Sequence, residues 1–108
     1  MIKHEATIAN GGTTSTAMRF EERNPLCGLF LPAFTTATTF TLLVSKNGGT
    51  AVAVTDPDGT AAKTFPLLTT ASYCPINPMY TFGMDSVQIV IGAAANSEKT
   101  ITANTCYA

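Results

Sequence analysis

Between residues 38 and 60 the chain reads TTFTLLVSKNGGTAVAVTDPDGT, and apolar side chains recur at every second position in Phe40, Leu42 and Val44, then again in Val52 and Val54. A two-residue period places them on one face of a pleated strand. Between the two runs stands Asn47-Gly48-Gly49, residue types that accept the positive φ a tight hairpin turn demands. The stretch therefore predicts a β-hairpin with one apolar face, followed by a second turn at Asp56-Pro57-Asp58-Gly59. The rest of the chain must supply what covers that face.

The same alternation recurs along the chain. Residues 2–8 predict a first strand with Ile2, Ala6 and Ile8 on one side, ending at the turn signal Asn10-Gly11-Gly12. Residues 15–20 predict a shorter strand with Met18 and Phe20 opposite Ala17 and Arg19. The charged segment 21–25 breaks the pattern, and Pro25 biases its predecessor toward extended or turn conformations. Residues 26–31 form a nearly continuous apolar run closed by Pro32, which reads as a strand buried on both faces. Residues 63–68 read as an edge strand because Pro66 cannot donate to a ladder, and residues 69–74 as a weaker one. Residues 86–92 put Val87, Ile89 and Ile91 inward and Val90 opposite, and residues 99–107 predict a last strand pairing with its predecessor as a C-terminal hairpin. The architecture expected is all-β, a single-domain antiparallel β-sandwich or jelly roll of about eight short strands spanning residues 1–108.

Composition narrows the function classes. A chain of 108 residues can bury roughly two-thirds of its unfolded surface without metals or disulfides. Charged residues are 12%, about half the usual fraction, and nineteen threonines between Thr7 and Thr105 supply uncharged polar surface suited to strands. So weak a charge fits a protein that works against others, and equally a Thr-rich β domain of extracellular type; composition does not separate the two. Six Lys plus Arg, singly placed, with a net charge of -1, provide no basic stripe for nucleic acid. No run reaches the length of a bilayer span.

Cys27, Cys74 and Cys106 lie far apart in the sequence, which offers no Cys-x-x-Cys metal or redox pair and leaves at least one thiol unpaired. Buried free thiols are expected. The opening residues, Met1-Ile2-Lys3-His4-Glu5, lack an apolar signal core, the expectation for a chain made and folded in the cytosol.

Nothing in the sequence points to catalysis, a cofactor or a small-molecule substrate. His4 is the single histidine and has no nucleophile beside it in a recognisable motif. The Gly-Gly pairs at 11–12 and 48–49 stand in hairpin turns with no following helix, so they are not phosphate loops. Asp56 and Asp58 before Gly59 suggest a calcium loop, but the further oxygens and distal Glu are missing, and a tight turn set by Pro57 explains the residues better. Aromatic stacking on sugars is the stronger rival, with Tyr73, Tyr80 and Tyr107 as the rings that carry a polar tip. A protein-contact surface fits better still. Residues 75–84 form the longest irregular stretch and the most apolar loop, carrying Ile76, Met79, Tyr80, Phe82 and Met84; apolar loops mark partners. Those five residues and Tyr107 are the interface candidates, with the chain ends, 1–5 and 105–108, as arms reaching a neighbour.

Several pieces taken together resemble small all-β virion proteins of tailed bacteriophages, of the capsid decoration (cement) type. The likeness runs through Ala6-Thr7-Ile8-Ala9-Asn10-Gly11 with Ser15-Thr16-Ala17, then Leu31-Pro32-Ala33-Phe34-Thr35, Thr39-Phe40, Ser45-Lys46-Asn47-Gly48-Gly49-Thr50 and Asp56-Pro57-Asp58-Gly59-Thr60, with fainter echoes in Val87-Gln88-Ile89-Val90 and Lys99-Thr100-Ile101-Thr102. The chain departs from it at residues 21–27, where a short Gly-containing link is expected, and in its more apolar 75–84 loop. The resemblance implies a non-enzymatic structural protein, trimeric, that binds the exterior of a capsid and clamps neighbouring major capsid subunits. From charge, the lack of a spanning run and the lack of a site motif, no nucleic-acid, membrane or small-molecule partner is expected. Members found on tails leave a second expectation, a receptor- or carbohydrate-binding module of a tail fibre or spike.

Overall fold

A computed structural model describes residues 4–20 and 24–107. Nine strands are present among the described residues: β1 His4–Ile8, β2 Met18–Arg19, β3 Leu26–Leu31, β4 Thr39–Ser45, β5 Val52–Ala53, β6 Phe65–Pro66, β7 Ser72–Pro75, β8 Ser86–Ile91 and β9 Lys99–Thr105. They form two antiparallel sheets, one of four strands ordered β1-β9-β3-β7 and one of five ordered β2-β8-β4-β5, with β6 also paired to β4. Ile2 of the expected first strand lies outside the described residues.

The connectivity is that of a ribbon folded back on itself and then rolled. The first four strands pair in reverse order with the later ones: β4 with β5 and β6, β3 with β7, β2 with β8, and β1 with β9. Rolling this ribbon brings β9 beside β3 and β8 beside β4. β5 and β6 pair with successive stretches of β4, at Val44–Leu43 and Phe40–Thr39, so they are halves of one strand interrupted by a small excursion closed by the Thr55–Ala62 bridge. Counted that way, eight strands make a two-sheet jelly roll.

The hairpin of residues 38–60 is the closed tip of the ribbon. Asn47 (φ 55°) and Gly48 (φ 71°) both take positive φ, and the Gly49 N–H donates to the Lys46 carbonyl at 3.0 Å, a type I′ turn whose twist matches that of the strands. Phe40, Leu42 and Val44 face inward as the alternation requires. They stand directly opposite Ile91, Ile89 and Val87 on β8, all buried as well. Ala6, Ile8, Leu26, Leu29, Leu31, Ile101 and Ala103 of the four-stranded sheet complete one core.

Several expectations are corrected. Val52 shares a face with its register partner Val44 but is exposed where burial was expected, because β5 lies at the sheet edge with no further strand beside it. β9 does not pair with β8. It crosses to the other sheet, between β1 and β3, and the connecting arch is tied to the β1–β2 turn by Gly11 N–H to Ala95 O (2.7 Å) and Ala95 N–H to Gly12 O (3.0 Å). β3 is not buried on both faces: Leu26, Leu29 and Leu31 point to the core while Phe30 points out.

Leu26 and Leu29 are three residues apart, so strict alternation would set them on opposite faces. A bulge resolves this: Leu26 pairs with Thr105 and Gly28 with Asn104, which leaves Cys27 as the extra residue. Cys27 is bonded to Cys106, Cα to Cα 5.1 Å, across 79 residues of sequence. The expected free thiols are thus reduced to Cys74, and partial burial pushes its thiol up from the ordinary range, making it a poor nucleophile at neutral pH.

Two measurements test the disulfide and the hairpin turn. In denaturant a thiol titration will find one reactive cysteine per chain without reductant and three with it, and reduction will cost roughly 2–5 kcal/mol of unfolding free energy because the bond closes a long loop. Gly48→Ala, where an added Cβ meets no neighbour but the backbone stays left-handed, will lower the stability measured by urea unfolding by about 1 kcal/mol.

Candidate protein-contact surface

The ends of β2, β4, β7 and β9 and the starts of β1, β3 and β8 meet at one end of the sandwich, as their antiparallel registers require. Residues 75–84 cap this end. The loop is built tightly for an irregular segment. Asn77 Oδ1 accepts the Met79 N–H at 3.0 Å, Pro78 presets the first helical φ, and Pro78–Tyr80 makes a single 3-10 turn. The Phe82 N–H donates to Pro78 O at 2.9 Å, and Gly83 (φ 84°) reverses the chain so that the Met84 N–H reaches Thr81 O at 2.9 Å.

Two groups fix the loop to β3. The Ile76 N–H donates to Cys27 O at 2.9 Å, and the buried Thr81 Oγ1 accepts the Leu26 N–H at 2.9 Å. Thr81 is the polar peg of an otherwise apolar segment, and it satisfies a backbone donor at the start of β3, beyond the β3–β7 pairing that reaches only Gly28. The structure sorts the candidates accordingly. Ile76 belongs to the core, and Tyr80 and Met84 pack against it; the Tyr80 ring meets Phe65 edge-on with centroids 6.0 Å apart. Met79 is 75% exposed and Phe82 54%. These two are the loop side chains that reach solvent as large apolar groups.

Tyr107, 65% exposed, sits at the same end because residues 24–27 hold it there. Its N–H donates to Asn24 Oδ1 at 2.8 Å, Asn24 Nδ2 donates to its carbonyl at 2.8 Å, and the Cys106 N–H donates to Pro25 O at 3.0 Å. With the disulfide, these bonds make Cys106 and Tyr107 part of the rigid body, not a free arm. At the other terminus His4 and Glu5 belong to β1, and the His4 ring lies 4.6 Å from that of Phe20; residues 1–3 and 108 lie outside the described residues. The hairpin turn is anchored to the same end by the Asn47 N–H to Asp85 Oδ2 (3.0 Å) and by the Asp85 N–H to Ser45 O (3.2 Å). Asp85 Oδ1 is buried without a partner among the described residues.

The Asp56–Gly59 segment is a turn. Gly59 takes φ 74°, its N–H donates to Asp56 O at 2.8 Å, and Asp58 Oδ1 accepts the Thr60 N–H at 3.1 Å and the Thr60 hydroxyl at 2.8 Å. Those bonds hold the Asp58 carboxyl below its ordinary value. Among the described residues no three acidic, His or Cys side chains gather as metal ligands.

The residues that sequence reasoning passed over are Asn24 and Thr81, the fasteners of this end. Each stands beside apolar or proline neighbours, but what marks it is a bond to a residue more than fifty positions away. No protein-family model matches this chain, and no curated protein matches it.

The peg has a measurable weight. Thr81→Val keeps the shape but leaves the Leu26 N–H unsatisfied, and will lower unfolding free energy by roughly 1–3 kcal/mol. In hydrogen exchange the Leu26 amide will lose protection before the amides of β4 and β8 do.

Proposed function

We propose that this protein is a structural virion protein that binds the exterior of a phage capsid and clamps neighbouring major capsid subunits, acting as a homotrimer. The observation that carries the reading is the end of the sandwich where Met79, Phe82 and Tyr107 stand exposed on backbone that is already fixed. Large apolar side chains on a preorganised surface lose little entropy on docking, the property a contact surface needs. The low surface charge favours close packing among subunits, and the resemblance to capsid decoration proteins names the partner.

The Cys27–Cys106 bond belongs to oxidising surroundings. It suits the outside of a released particle, even for a chain synthesised in a host cytoplasm. Stabilisation would work by mass action, since a subunit that binds only the assembled shell shifts the balance toward it. Many weak copies acting together would supply the avidity.

The test uses particles lacking the protein, to which the purified chain is added back. The wild-type chain will restore resistance to heat and osmotic shock, and a Met79→Asp/Phe82→Asp variant will need a concentration on the order of tenfold to a hundredfold higher. Particles that resist equally well without the protein, or a variant as protective as the wild type, would overturn the proposal.

A further inference from the structure

The outer face of the four-stranded sheet carries a second group of aromatic side chains that the capsid reading does not use. Phe30 on β3 stands opposite Tyr73 on β7, and on its other side opposite Thr102 on β9. Their ring centroids are 4.7 Å apart, with the planes inclined at 51°. Both rings remain open to solvent, Phe30 54% and Tyr73 43% exposed.

Tyr73 does not stand upright from its strand. It lies across β3, over Gly28, where an added Cβ would run into its ring and hydroxyl. Asn104 on β9 receives the far end, its Nδ2 donating to Tyr73 Oη at 3.2 Å. One ring face is thus turned to the sheet and the other outward. That bond leaves the tyrosine its own proton to donate and Asn104 its Oδ1 to accept.

From this juxtaposition of a flat ring, a second ring beside it, and an oriented donor and acceptor at the rim, we infer that the outer face of β7-β3-β9 is a binding platform for neutral hexopyranose chains. A pyranose presents a C–H face that stacks on an aromatic ring and hydroxyls around its edge, which the Tyr73 hydroxyl and Asn104 Oδ1 are placed to meet. Charge decides against a polyanion. The outward residues of β9, β3 and β7 in this patch, Thr100, Thr102, Asn104, Gly28, Phe30, Tyr73 and Pro75, are uncharged, so the patch supplies no cation to hold one. The two partly exposed rings match one or two sugar units in size, and the polar residues around them, Thr100, Thr102 and Asn104, suit hydroxyls better than the apolar core of a protein interface. Its recognition groups, Phe30, Tyr73 and Asn104 on the sheet face, are different side chains from Met79, Phe82 and Tyr107 at the sandwich end.

Native affinity electrophoresis of the full chain through gels containing mannan, dextran or galactan, with dextran sulfate as the anionic comparison, tests this. The wild-type chain will be retarded in at least one neutral gel. Phe30→Ala will weaken the retardation on the order of tenfold, and Tyr73→Phe, which keeps the ring over Gly28, will weaken it while leaving the melting temperature within a degree or two of wild type. Unchanged mobility in every neutral gel, retardation in dextran sulfate alone, or a Phe30→Ala variant retarded as strongly as the wild type would overturn the inference. So would sedimentation showing that Phe30→Ala converts an oligomer into a monomer, because the face would then be a subunit contact.

Discussion

The register between β4 and β8 is the constraint on which the other features depend. Phe40, Leu42 and Val44 face Ile91, Ile89 and Val87 in direct cross-strand pairs, and all six are buried. A slip of one residue would turn a whole strand's apolar side chains to solvent, so this pairing has one workable alignment. β4 also bears β5 and β6 on its other edge, and β8 bears β2. With one sheet fixed, the reverse-order pairing of the ribbon delivers β1, β3, β7 and β9 to the opposite layer. There the bulge at Cys27 adjusts the single place where leucine spacing departs from the period of two.

Much of this was legible because strand alternation and turn chemistry are local. The type I′ turn at Asn47-Gly48, the inward set of β8, the edge position of Pro66 and the turn at Asp56-Pro57-Asp58-Gly59 all follow from residues within a few positions of one another. Sheet membership is not local. Alternation says that Ile101 and Ala103 face a core but not which sheet supplies their neighbours, and proximity in sequence wrongly favoured β8 as the partner of β9. The disulfide was hidden for the same reason: Cys27 and Cys106 become neighbours only once β3 and β9 pair with a bulge. Phe30 was misjudged because an apolar run such as Leu26–Leu31 reads the same whether its second face is covered by a layer or only by one ring from the next strand.

In the 75–84 loop, composition marked an apolar segment but could not sort which of its side chains are buried and which reach solvent. Ile76 is drawn into the core by its backbone bond to Cys27, and Tyr80 is drawn against Phe65. Met79 and Phe82 are left outward because the 3-10 turn and the positive φ at Gly83 put them there. The segment is rigid for a physical reason. Thr81, Asn24 and the disulfide attach both the loop and Tyr107 to the first residues of β3, so one short stretch organises the whole end. An apolar surface held this firmly costs solubility while it is unpartnered, and its ordering entropy is already spent before a partner arrives.

The measurement that addresses the central claim most directly is hydrogen–deuterium exchange of the purified chain, alone and bound to empty capsid shells. The account predicts new protection confined to residues 78–84 and 105–107, with β4 and β8 unchanged. Protection absent from that end, or found instead along the outer face of the four-stranded sheet, would contradict it.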